Sequence, residues 1–181
     1  MAVMASTFAS ASFRSVLVWD EALLRGVGRW HRPALTSAMR AFTRLGDVSS
    51  WVKSGLLLLA CGPDGVRAGS YLAVSAIGAT AVAQLLKRSC KRARPSESVA
   101  ELAPLVENPD AFSFPSGHTA AAVAVAVAMA AISPALAAVA GVIATGIAVS
   151  RIYLGAHYPL DVAAGAVIGI AAGLGTRAIL G

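Results

Sequence analysis

The chain has 181 residues, 57% of them hydrophobic and only 13% charged, with a mean hydropathy of +0.71. A soluble domain carries about a quarter charged residues, so the polar surface needed to coat a water-facing globule is missing; a disordered tail, a secreted disulfide scaffold and an ordinary cytosolic enzyme are excluded. The net charge of +6 comes from basic residues set between apolar runs rather than along one soluble face, which argues against nucleic acid and for anionic lipid or a phosphate-bearing substrate.

The length suits one domain over 1–181. The first residues resemble a signal peptide only weakly, because no positive charge precedes the first apolar stretch. From about Val16 to Leu45, Trp19, Leu23, Leu24, Val27 and Trp30 alternate with Asp20, Glu21, Arg25 and Arg29. This predicts an amphipathic helix lying in the membrane interface, followed after Pro33 by a second one carrying Arg40 and Arg44. Val48 to Gly62 is apolar enough to cross if Lys53 snorkels to the interface. Ala68 to Leu86 is uncharged between Arg67 and Lys87 and exceeds the roughly 17 residues a span requires. The uncharged run from Thr119 to Val149 is too long for one untilted crossing, and Ser133-Pro134 divides it into helices over about 116–132 and 134–150. After a polar knot from Arg151 to Asp161, the last apolar span runs from Val162 to Thr176, with Gly165, Gly169 and Gly173 on one face for close helix packing. The expected architecture is all-α: a polytopic transmembrane helical bundle of about five spans with N-terminal amphipathic interfacial helices.

Alternating crossings bring the end of the second span, the start of the third, the end of the fourth and the start of the fifth to one membrane side. Cys61 then lies near the opposite side from Cys90, about 30 Å of helix away, and a disulfide between them is geometrically excluded. Gathered at the shared face are Lys87, Arg94, Ser116, Gly117, His118, Arg151, His157 and Asp161. Taken singly, Lys87 and Arg151 read as interfacial anchors, His118 as a core histidine and Asp161 as a first-turn acid. Together, in an otherwise apolar protein, they point to a functional site.

The chemistry that fits them is that of a tetrahedral oxyanion. Lys87, Arg94 and Arg151 supply fixed positive charge, and the arginine fork matches phosphate oxygens. Pro115-Ser116-Gly117-His118 reads as a helix start, with Ser116 as N-cap, Gly117 leaving room for an anion, and free N–H groups of the first turn aimed at it. His157 and Asp161 are four apart with Pro159 suited to the first helical position. Asp161 can therefore reach back to His157, set its tautomer and support the charge it gains as a nucleophile. His118 is then the proton donor for a leaving alkoxide. A divalent metal is disfavoured by the three surrounding cations and the shortage of carboxylates.

These residues carry a three-part pattern: Lys87 with Arg94-Pro95, then Pro115-Ser116-Gly117-His118, then Ser150-Arg151 with His157 and Asp161. On this pattern, over about Ala68 to Thr176, the chain resembles the type 2 phosphatidic acid phosphatase superfamily, in its integral-membrane lipid phosphatase branch. The resemblance implies that His157 attacks phosphorus and forms a phosphohistidine, that Asp161 orients it, and that His118 protonates the leaving oxygen. It further implies that Lys87, Arg94, Ser116, Gly117 and Arg151 hold the phosphate and that no metal or other cofactor takes part. The hydrophobic spans argue against the soluble haloperoxidase and acid phosphatase branches that share the pattern.

The implied activity is hydrolysis of a phosphate monoester or pyrophosphate on a lipid: a polyprenyl phosphate or diphosphate such as undecaprenyl pyrophosphate, phosphatidic acid, or phosphatidylglycerol phosphate. Two alternatives remain open, a lipid phosphotransferase with an acceptor other than water and a catalytically silent lipid-binding or transport relative; retention of both histidines and Asp161 speaks against silence. The expected location is a bacterial plasma membrane. Arg14, Arg25, Arg29, Arg32, Arg40, Arg44, Arg88, Lys91 and Arg92 lie on the catalytic side and only Arg67 and Arg177 on the other, which by the positive-inside tendency predicts a cytoplasmic active site.

Overall fold

The computed structural model describes residues 11–99, 105–108 and 110–181. The N-terminal stretch weighed as a signal peptide lies largely outside them. Eight helices and no strand occur among the described residues: α1 (Ala11–Gly28), α2 (Pro33–Leu45), α3 (Val48–Leu59), α4 (Gly62–Cys90), the short α5 (Pro95–Ser98), α6 (Gly117–Met129), α7 (Pro134–Tyr153) and α8 (Pro159–Leu180). The all-α membrane architecture expected from the sequence is therefore present.

Helix boundaries follow local chemistry. Proline stands in the first turn of α2, α4, α7 and α8, where its missing N–H costs nothing. Ser133 caps α7 by accepting from the Ala135 N–H at 3.2 Å, so the break expected at Ser133-Pro134 is real. α4 extends beyond the uncharged run at both ends, through Arg67 and Lys87, and stops where Lys91 turns left-handed. Its 29 residues measure about 43 Å, longer than the hydrocarbon core of about 30 Å, so its charged ends reach the polar zones. α4, α7 and α8 are long and apolar enough to cross a membrane, whereas α3 and α6 are shorter apolar helices. At 12 and 13 residues the latter two measure about 18 to 20 Å, less than the spans foreseen for them.

Small residues sit inside and large ones outside, as expected where lipid is the solvent and close packing drives helix association. Ala79 and Ala83 of α4 meet Ala120 and Ala124 of α6, all four fully buried, while Leu57, Leu85, Val142, Val167 and Ile179 are exposed. The glycine face of α8 lies directly on α6: a Cβ placed at Gly169 would stand 2.6 Å from the Ala120 carbonyl oxygen, so only glycine permits this approach. α6 is thus held between α4, α7 and α8, and its N-terminus is carried to the end of the bundle where α4 and α7 finish and α8 begins.

The N-terminal helices do more than coat the interface. Val18, Trp19, Leu23 and Trp30 are exposed as an apolar face requires, but Leu24 and Asp20 are buried, and Asp20 accepts the Leu160 N–H at 2.8 Å. On α2, Thr36 pairs with the Tyr153 hydroxyl at 3.0 Å and Arg40 donates to the Leu105 carbonyl at 3.0 Å. Both helices therefore dock on the end of the bundle that holds the polar residues. Cys61 and Cys90, at opposite ends of α4, are free and exposed.

Candidate active site

Four helix ends converge on one cavity of about 320 Å³. Lys87 comes from the last turn of α4 and Arg151 from the last turn of α7. Gly117 and His118 open α6, and His157 lies in the turn between α7 and α8. The ends are tied through backbone carbonyls: the Ser116 N–H donates to the Asp161 carbonyl at 2.9 Å, and an Arg94 side-chain amino group donates to the Ala156 carbonyl at 2.8 Å.

Of the eight residues singled out in the sequence, Lys87, Arg94, Gly117, His118, Arg151 and His157 line the cavity. Ser116 and Asp161 are fully buried beside it. The Ser116 hydroxyl caps α6, accepting from the Thr119 N–H at 3.4 Å and pairing with the Thr119 hydroxyl at 3.0 Å. Ser116 therefore shapes the first turn of α6 through its hydroxyl and does not reach the cavity.

Asp161 is close to His157, with Oδ2 3.5 Å from Nδ1, but its hydrogen bonds go elsewhere. Oδ2 accepts the Tyr158 N–H at 2.9 Å, the favoured partner of an acid three residues into a helix, and Oδ1 accepts from Arg92 at 2.7 Å. The His157 Nδ1 is buried without a hydrogen-bond partner, as is the Arg151 Nε. Buried polar atoms left unpaired are costly and concentrate at working sites. Burial, and then the charges of Arg151, Arg94, Lys87 and His118, push the His157 imidazole well below the ordinary histidine range. Both effects favour the neutral ring.

Several residues of the site were not singled out by the sequence reading. Asp110 accepts from Lys87 at 2.7 and 2.9 Å and from Arg94 at 2.6 Å; burial opposes its charge, yet Lys87 and Arg94 hold the carboxyl below the usual carboxylate range. Asn108 accepts from Arg94 at 3.1 Å and Arg151 at 3.3 Å, and the Thr43 hydroxyl accepts from Arg151 at 2.5 Å. Asp47 heads α3 without capping it, because its carboxylate turns to the His118 Nε2 at 2.9 Å. Gly46 beside it has no room for a Cβ, which would stand 3.0 Å from the His118 ring and 2.8 Å from Ile147. Arg92, treated in the sequence as a loop charge, bridges Asp161 and Asp20 at 2.7 Å each. The one available signal was that Asn108 and Asp110 fall in the long polar segment from Lys87 to Phe114 of an otherwise apolar chain.

A membrane-embedded helical bundle with two histidines and three cations on one buried cavity defines a class of membrane phosphotransfer enzymes, and comparison with known proteins agrees. Residues 68–180 match the PAP2 superfamily, and the chain belongs to that family. It is 35% identical over 156 residues to the decaprenylphosphoryl-5-phosphoribose phosphatase of Mycolicibacterium smegmatis, covering 83% of this chain and 79% of that one. It is 30% identical over 165 residues to the lipid A 1-phosphatase of Rhizobium etli, covering 79% and 71%. Among solved structures, the transmembrane PAP2-type phosphatidylglycerolphosphate phosphatase of Bacillus subtilis superposes with a TM-score of 0.76 at 26% identity, covering 91% of this chain and 86% of that one. The LpxE protein of Aquifex aeolicus gives 0.67 at 28% identity, covering 85% and 92%. The protein is a membrane lipid phosphatase of this family.

Proposed function

We propose that the protein removes a terminal phosphate from a lipid by way of a phosphohistidine on His157, and that its substrate is an isoprenoid-linked phosphate with a hydroxylated, sugar-like head group. The observation that carries the reading is the convergence of His157, His118, Lys87, Arg94 and Arg151 on one cavity. Asp161 faces Nδ1 of His157, which leaves Nε2 to attack phosphorus. As the N–P bond forms, the P–O bond to the head group breaks, and His118 gives its proton to the departing oxygen. Water then attacks the phosphohistidine, His118 takes the water proton, and phosphate leaves with the His157 ring restored. Lys87, Arg94 and Arg151 hold the equatorial oxygens and offset the charge that builds on them. Asp110, which pairs with both Lys87 and Arg94 in the free site and offsets one of their two charges, yields these donors to the incoming phosphate.

Support for the head group comes from the surroundings of His118, where the leaving oxygen must lie. A second cavity of about 300 Å³ shares Asp47, His118 and Arg151 with the first and is walled by Thr43, Glu107 and Asn108, a lining suited to hydroxyl groups. The names of the Mycolicibacterium and Rhizobium relatives describe phosphates of a prenyl-linked phosphoribose and of lipid A. The test is phosphate release in detergent from phosphatidic acid, phosphatidylglycerol phosphate, farnesyl diphosphate and a prenylphosphoryl phosphoribose phosphate, each with and without EDTA. The last compound is expected to react fastest, and every rate is expected to survive chelation, since the cations of the site already stabilise the phosphate. Loss of activity on chelation, restored by zinc or magnesium, would overturn the metal-independent mechanism. A preference for phosphatidic acid would overturn the head-group assignment.

The active site is proposed to face the cytoplasm of a bacterial plasma membrane. What supports this is that Arg32 and Arg40 belong to segments docked at the catalytic end, while Arg67 lies at the other end against the Ala131 carbonyl; basic residues favour the cytoplasmic side. Ser98 is exposed at the end of α5, the short helix that follows Arg94. With Ser98→Cys in a Cys61→Ala, Cys90→Ala background, a membrane-impermeant maleimide is expected to label the protein only after cells are permeabilised. Ready labelling of intact cells would reverse the orientation.

A further inference from the structure

We propose that Arg92, held in place by Asp20 of α1, is a positioning residue for the reaction, keeping the Asp161 carboxylate ionised and aimed at His157. The proposal rests on His157 being the nucleophile. Arg92 does not line the cavity, so any effect on the reaction passes through the groups it touches.

Those groups form one chain in which the two carboxylates are buried and Arg92 is partly exposed. Asp161 is 0% exposed, and a buried carboxylate stays charged only beside a counter-charge with its oxygens hydrogen-bonded. Arg92 supplies that charge through a 2.7 Å bond to Oδ1, leaving Oδ2 shared between the Tyr158 N–H and the neighbourhood of the His157 Nδ1. The other Arg92 amino group donates to Asp20 Oδ2 at 2.7 Å, and the guanidinium lies 4.0 Å above the Tyr158 ring. Asp20 is itself 2% exposed, and its Oδ1 accepts the Leu160 N–H in the first turn of α8. Arg92 is thus fixed by two carboxylates and a ring face, in a fork geometry that a lysine could not reproduce.

Charge decides what the chain can do. Asp20, Arg92 and Asp161 together carry one net negative charge, matching the single positive charge that His157 gains when its Nε2 bonds to phosphorus. With Arg92 alone on Asp161 the pair would be neutral and would offer the ring little. With Arg92 missing, two buried carboxylates would share the site and one would take up a proton.

The test uses the full-length protein in detergent and whichever lipid phosphate of the panel reacts fastest, with inorganic phosphate as a competitive probe of the cradle. Arg92→Gln and Asp20→Asn are expected to lower kcat about 10- to 100-fold. The inhibition constant of inorganic phosphate should stay within about twofold, because Lys87, Arg94 and Arg151 are untouched; Arg92→Lys should recover part of the loss. In an Asp161→Asn background, Arg92→Gln should cost little more, since the carboxylate it serves is gone. Undiminished kcat in Arg92→Gln, or its full additional loss in the Asp161→Asn background, would overturn the proposal. Should Arg92→Gln not fold, Asp20→Asn is read through the same cycle with the same criteria. Full activity of His157→Ala would instead overturn the nucleophile assignment beneath it.

Discussion

Replacing His157 with alanine is expected to abolish turnover, with a loss of at least about four orders of magnitude, the scale seen when a covalent nucleophile is removed. No other imidazole is free to substitute for it: His118 is held by Asp47, and the other lining side chains are cations, carboxylates, an amide, an apolar group and the hydroxyls of Ser49 and Thr80, which are weak nucleophiles without a paired base. The fold should survive, because the side chain makes no hydrogen bond through its buried Nδ1. The checks are phosphate release by purified protein and, in the wild type quenched in acid-free conditions, a phosphorylated histidine that the variant lacks. Comparable rates from the two proteins would remove the mechanism. The pH dependence has a definite sign. A ring whose basicity is lowered by burial and by Arg151, Arg94, Lys87 and His118 is already neutral at its ordinary pKa of 6.5. Protonation of His157 is therefore expected to cause no loss of kcat/KM until the pH falls well below that value.

The second large effect is that of His118→Ala, and its size should depend on the leaving group. General acid catalysis contributes about 10² to 10⁴-fold. A sugar-like alcohol leaves poorly and needs the proton, whereas p-nitrophenolate leaves without it. Turnover of the lipid substrate is expected to fall by about three orders of magnitude and hydrolysis of p-nitrophenyl phosphate by far less. Equal losses on both substrates would mean that His118 serves the phosphate cradle rather than the leaving oxygen. Asp47 should follow the same pattern in weaker form, since it touches His118 by one nitrogen and no cation of the site by a hydrogen bond.

What was legible in the sequence is what neighbouring residues decide among themselves. Ser133-Pro134 had to break the long apolar run because proline cannot continue a helix hydrogen bond. Gly165, Gly169 and Gly173 had to face a close neighbour because their spacing puts them on one helical face. The gathering of Lys87, His118, Arg151 and His157 followed from counting crossings, since each stands at the end of an apolar run. The helix lengths were less legible: charged residues such as Arg67 and Lys87 lie on α4 and not beyond it, because long side chains reach the interface from within a helix.

What only the tertiary structure decided is the carboxylate partners of the site. Asp47 reaches His118 across 71 positions, Arg92 reaches Asp161 across 69 and Asp20 across 72, and no local pattern encodes such pairings. In the sequence Asp20 belongs to an amphipathic interfacial helix and Arg92 to a basic loop, and Asp47 stands just before the apolar run that begins at Val48. Each of those readings is reasonable while the residue is assumed to see water. Folding buries Asp20 and most of Arg92 and leaves Asp47 half exposed, and a charge that loses hydration must find an opposite charge or a hydrogen bond within reach. Which partner it finds depends on how α1, α2 and the polar segment before α6 dock on the bundle, a choice made by the packing of helices far apart in the chain.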